Sequence, residues 1–61
     1  MPVIIVESNK LALDKKRKYV KELTKITAEA YDLPETAVTI ILKENKSENI
    51  GVGGDLLSER G

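Results

Sequence analysis

Chemistry in this chain has few places to sit. The sequence contains no histidine and no cysteine, which removes the commonest acid–base side chain and the thiol nucleophile. Gly51-Val52-Gly53-Gly54 is glycine-rich, but no Gly-Lys-Ser/Thr follows it, so it is not a phosphate loop. What remains is Pro2, a set of carboxylates and a group of cations. A small residue behind the initiator methionine permits removal of Met1, and the product here is a secondary amine at the chain end. An ordinary α-amino group titrates at about 7.7–8.0. Burial among apolar side chains, or a neighbouring cation, disfavours its protonated form. Either effect moves it toward neutrality, where a general base works best. The pyrrolidine ring also fixes φ and so aims the lone pair. The plainer reading is that Pro2 only starts a strand where no ladder amide is needed.

The elements that must position such a base are legible in the residue pattern. Val3-Ile4-Ile5-Val6 is a continuous β-branched run, which suits a strand covered on both faces. Ser8-Asn9-Lys10 interrupts it. From about Asp14 to Tyr31 the period lengthens, and Tyr19, Val20, Leu23, Ile26, Thr27 and Ala30 fall on one helical stripe. Asp14 is the expected N-cap, and Pro34 bars continuation of the helix beyond Leu33. A second β-branched run follows at Ala37–Leu42, then a polar segment, then the glycines of a hairpin or bulge. Strand, helix, strand and hairpin make an α/β fold. It is a β-α-β unit with parallel strands and a short C-terminal β-hairpin, spanning residues 1–61 as one domain.

Size and charge bound what this unit can be. A chain of 61 residues buries only about 60% of its unfolded surface and is marginal alone. Disulfides are excluded, and a structural zinc site lacks its usual ligands. Self-association is the remaining remedy, and a two-stranded sheet with one helix leaves a face and an edge free for it. Ten basic residues balance ten acidic ones, which argues against binding to nucleic acid or an anionic membrane. No apolar run approaches the ~20 residues of a membrane span. The start of the chain has no signal-peptide pattern, so a cytoplasmic location is expected.

Taken in order, Met1-Pro2 before an apolar strand, the amphipathic helix, Asp32-Leu33-Pro34, Val38–Leu42 and Glu48-Asn49-Ile50-Gly51-Val52-Gly53-Gly54 resemble the 4-oxalocrotonate tautomerase family across essentially the whole chain. The resemblance implies that two subunits form a four-stranded sheet and that three such dimers form a hexamer. It implies that Pro2 is a general base moving a proton between oxygen and carbon of a small unsaturated 2-oxo acid, with no cofactor or metal. Arginines hold the carboxylates in that family, and an aromatic residue precedes the glycine turn. This chain has Thr39 at the strand arginine and Ile50 at the aromatic position. Its first loop is about one residue shorter, so Lys10 or Arg17 is the candidate substrate cation. Lysine does not reproduce the bidentate fork of arginine. Arg17 also reads as part of a solvated Lys15-Lys16-Arg17-Lys18 face. Substrates needing fewer cations than a dicarboxylate are therefore expected.

Two other readings compete. A ribbon-helix DNA-binding dimer would share the short strand and basic helix start, but neutral charge and a second strand oppose it. A tautomerase-fold assembly or ligand-binding protein that has lost catalysis is consistent with the missing arginine and aromatic residue.

Overall fold

The computed structural model describes residues 1–60. It consists of β1 (Val3–Ser8), α1 (Leu13–Tyr31), β2 (Thr39–Glu44) and a hairpin of β3 (Gly51–Val52) and β4 (Asp55–Leu56). Single turns of 3₁₀ helix fill Glu35–Ala37, Ser47–Asn49 and Leu57–Glu59. β1 and β2 pair in parallel with Val3 opposite Thr39 and Ser8 opposite Glu44. The order, the parallel pairing and the terminal hairpin are those the sequence pattern predicts. Ala37 lies in a 3₁₀ turn rather than in the second strand, because Pro34 opens that turn by accepting the Ala37 amide at 3.0 Å.

α1 keeps the expected span to within one residue, but its caps differ from expectation. The N-cap is Ala12, with no side-chain cap, and Asp14 sits inside the first turn. There its charge still favours the positive end of the helix dipole. At the other end Asp32 adopts the left-handed conformation, φ 54°. The Leu33 amide donates to the Ala28 carbonyl at 2.9 Å and that of Asp32 to Glu29 at 3.3 Å, a Schellman pattern that closes the helix before Pro34 is reached. In the hairpin, Gly53 at φ 60° and Gly54 at φ 93° supply the two positive dihedrals that a tight two-residue turn demands.

The face that α1 turns to the sheet is rotated from the expected stripe. Val20, Leu23, Thr24, Thr27 and Ala28 are covered, whereas Tyr19, Ile26 and Ala30 are exposed. Against the helix pack Ile4, Val6, Ile40 and Leu42, the covered positions of the two strands. The alternate residues point to the other side, and Val3, Ile5 and Ile41 are 54%, 55% and 41% exposed. Among the described residues only Thr27 and Ala28 are buried outright.

Overall dimensions carry the same message. The chain extends 43 × 24 × 13 Å with a radius of gyration of 15.0 Å, against roughly 10–11 Å for a self-contained domain of this length. Its accessible surface is 5096 Å², whereas a compact monomer of 6.7 kDa exposes about 3,900 Å². A β-branched surface of this extent in water is a surface built to be covered.

One contact fastens the loop between β1 and α1. The Leu11 amide donates to Glu44 Oε2 at 2.8 Å, and Lys16 Nζ lies 3.0 Å from Glu44 Oε1. The Asn45 amide donates to the Ser8 carbonyl at 2.7 Å. Asn45 Nδ2 also donates to Glu7 Oε1 at 3.4 Å. The Leu11 amide, followed by the Lys16 ammonium and the more distant charge of Lys10, holds the Glu44 carboxyl below its ordinary value.

Two outcomes follow from these packing features. Replacing Ile5 by Lys would be near neutral on a solvent face, but on a covered one it strands a charge at a cost of about 3–5 kcal/mol. The variant is expected to lose the assembled mass in sedimentation and to melt at lower temperature at matched protomer concentration. For Glu44, a depressed folded pKa means that its stabilisation is present above the unfolded value and is lost as pH falls through the folded one. Hydrogen exchange at the Leu11 amide is therefore expected to lose protection once pH drops below 4.5, the ordinary value.

Candidate active site

Pro2 sits one residue ahead of β1, and its position is fixed by its own carbonyl. That oxygen accepts the Thr39 amide at 3.1 Å, extending the parallel ladder by one bond. The ring nitrogen needs no ladder partner, and Pro2 remains half-buried. Beside it lies a shallow groove of about 390 Å³ lined by Pro2, Val3, Ile4, Ile26, Thr27, Ala30 and Tyr31. Among the described residues no charged side chain lines this groove, and its hydroxyls are those of Thr27 and Tyr31. Met1 projects away from the strand and is 89% exposed.

The candidate cation and the pocket residue lie elsewhere. β1 runs about 20 Å from Pro2 to Ser8 at the usual strand rise, so Lys10 belongs to the opposite end of the sheet. There it lines a polar cleft of about 650 Å³ with Asn9, Glu44, Asn45, Lys46 and Ser47. Ile50 lines an adjoining cleft of about 350 Å³ with Ser8, Asn9, Asn45, Ser47 and Leu57. These clefts open at the carboxyl ends of parallel strands, the usual ligand position in open α/β sheets. Arg17 is exposed on α1 and lines neither cleft. Thr39 is exposed on the outer sheet face opposite Val3, next to Pro2 and far from Lys10.

One protomer therefore brings Lys10 and Ile50 to the same end of its sheet and holds Pro2 at the other. Sequence reasoning did not single out three residues. Tyr31 reaches the Pro2 groove from the last helical position. Lys46 adds a second ammonium to the Lys10 cleft, and Glu44 supplies the acceptor for the loop that carries Lys10. Periodicity could have flagged Tyr31 as the final member of the apolar helix surface. Glu44 carries no local signal, since its partner Leu11 is 33 positions away.

The geometry has known counterparts. The chain superposes on the crystal structure of DmpI from Archaeoglobus fulgidus with a TM-score of 0.85 and 45% identity, covering 95% of this chain and 100% of that one. It matches a 4-oxalocrotonate tautomerase homologue with a TM-score of 0.88 and 29% identity over 100% of this chain and 98% of the other. DmpI from Helicobacter pylori, at 16% identity, shares the fold with a TM-score of 0.80, over 97% and 100% of the two chains. The family model for tautomerase enzymes matches residues 2–60. With that match running from the proline to the end of the last 3₁₀ turn, the chain belongs to the tautomerase family.

Proposed function

We propose that this protein is a cofactor-independent isomerase that uses the amine of Pro2, freed by removal of Met1, as the general base for keto–enol or 1,3-proton transfer on a small unsaturated 2-oxo acid. The observation that carries the reading is the setting of Pro2. It heads a strand beside a groove that no charged side chain lines among the described residues, in a chain matched by a tautomerase family model from residue 2 onward. Apolar surroundings disfavour the protonated amine, and the covered outer sheet would make them drier than they are in one protomer. The conjugated substrate is its own electron sink. The base takes a proton from the enol oxygen or from the carbon beside the carbonyl and returns it at the far end of the conjugated system.

The complementary charge comes from a neighbouring subunit in this reading. Antiparallel pairing of two β1 edges across a two-fold axis sets Pro2 of one protomer near the Ser8–Lys10 segment of its partner. Lys10 then neutralises a carboxylate or the developing oxyanion, and Ile50 forms part of the wall. Arg17 is the alternative cation, approaching from the helix of another subunit. A hexamer built as a trimer of such dimers covers the outer sheet face and the Tyr19–Ile26–Ala30 side of α1. With ammonium groups in place of a guanidinium fork, monocarboxylates are expected to be better substrates than dicarboxylates.

Replacing Pro2 by Ala keeps a chain-terminal amine but loses the rigid ring. Ketonisation of a 2-hydroxydienoate, followed by its ultraviolet absorbance, is expected to slow by about 10²-fold or more with an unchanged melting curve. Undiminished turnover would remove Pro2 from the mechanism. Intact mass of the active protein is expected to correspond to loss of Met1, because a retained methionine makes the proline nitrogen a tertiary amide with no basicity.

A further inference from the structure

The loop that carries Lys10 has no regular structure of its own, yet its middle is fixed by a single side chain from the end of β2. Glu44 divides its two oxygens. Oε2 accepts the Leu11 amide at 2.8 Å, one residue beyond Lys10. Oε1 faces the Lys16 ammonium at 3.0 Å, on the first turn and a half of α1. Both oxygens are occupied, and Lys10 has no carboxylate within 4.0 Å among the described residues. It nevertheless lines the same cleft as Glu44 and is close enough for its charge to act on that carboxylate.

A carboxylate that lines the same cleft as an unpaired ammonium competes with an anionic ligand for it. Capture by Glu44 would remove the cation from that ligand. Lys16, whose ammonium lies 3.0 Å from Glu44 Oε1, competes with Lys10 for that carboxylate. We propose that Glu44 and Lys16 form a positioning pair: Glu44 pins the β1–α1 loop through the Leu11 amide, and Lys16 occupies the remaining carboxylate oxygen so that Lys10 stays free to bind the ligand's carboxylate. Neither residue touches the ligand, and each acts through Lys10. The inference rests on the assignment of Lys10 as the substrate cation.

The pair makes a prediction that a merely structural ion pair does not. Losing Lys16 leaves Glu44 and Lys10 both present and nevertheless weakens binding, because Glu44 then takes Lys10. The measurement is the Kd of 2-oxopentanoate, which lacks the conjugated double bond, by isothermal titration calorimetry on the assembled protein. Lys16→Met is expected to raise Kd by about 5- to 10-fold, and Lys16→Arg to restore it. Glu44→Gln retains an oxygen for the Leu11 amide and carries no charge to capture Lys10, so its Kd should stay within about 2-fold of the parent. Glu44→Ala is expected to raise Kd by a similar 5- to 10-fold and to accelerate hydrogen exchange at Leu11. In the Glu44→Gln background, Lys16→Met should have no further effect, a non-additivity that isolates the coupling.

Additive effects in that cycle, or Lys16→Met binding like the parent, would overturn the pair. Absence of saturable 2-oxopentanoate binding, or a Lys10→Ala variant that binds as well as the parent, would overturn it together with the role of Lys10. Because these readouts need no turnover, they stand apart from the Pro2→Ala assay. That assay alone decides whether the proline is the base.

Discussion

Two parallel strands and one helix enclose too little volume to make a core. A helix covers one side of a sheet, and each strand of β1–β2 has a free edge, so β-branched residues on the second side stay in contact with water. Val3, Ile5 and Ile41 are in that position, and the helix leaves Ile26 and Tyr31 similarly open. Burying an aliphatic side chain is worth about 1.5–3 kcal/mol, which for a domain this size is comparable with its entire stability. Much apolar surface is thus left unburied by the protomer itself. The same limitation bears on the proposed chemistry, since a sheet only two strands wide has no interior in which to collect a base and a cation from one chain.

The two ends of the sheet are accordingly specialised. At the amino end the chain provides ring, aliphatic and phenol surface around Pro2. At the carboxyl end it provides ammonium groups, amides, a hydroxyl and the Glu44 carboxylate around Lys10. Low polarity lowers the affinity of an amine for its proton, whereas a carboxylate ligand needs charge and donors. Placing both requirements at one end of one chain would set them against each other. Separating them along about 20 Å of strand lets each environment form on its own terms, and in the proposed assembly an antiparallel neighbour unites them.

The large features of this architecture were legible in the residues. Val3–Val6 and Val38–Ile41 are unbroken β-branched runs that read as strand, and the intervening three-and-four spacing reads as helix. The orientation of the helix was not legible. Tyr19, Ile26 and Ala30 are as apolar as Val20 and Leu23, and periodicity marks all of them as surfaces to be covered without saying by which chain. Val20 and Leu23 meet the protomer's own sheet; the others do not. Asp14 looked like a cap because the loop before it offers no better side chain, yet Ala12 occupies that place without one. The Asp32 left-handed turn ends the helix two residues before the proline that would have stopped it. In the candidate site, Pro2 stood out by chemistry and position. The distinction between Lys10 and Arg17 is one of placement, which residue types alone do not encode: Lys10 lines a cleft at the end of the strands and Arg17 projects from an exposed helix face.

The way the first strand is anchored bears on how such a protein matures. The ladder grips Pro2 by its carbonyl, downstream of the bond that joins it to Met1, and the methionine side chain stands in solvent. Cutting that bond therefore breaks no hydrogen bond of the sheet and opens no hole in the packing. If Pro2 is the base, a single hydrolysis converts its amide nitrogen into the amine that the proposed mechanism needs, without loosening the ladder contact that holds the strand.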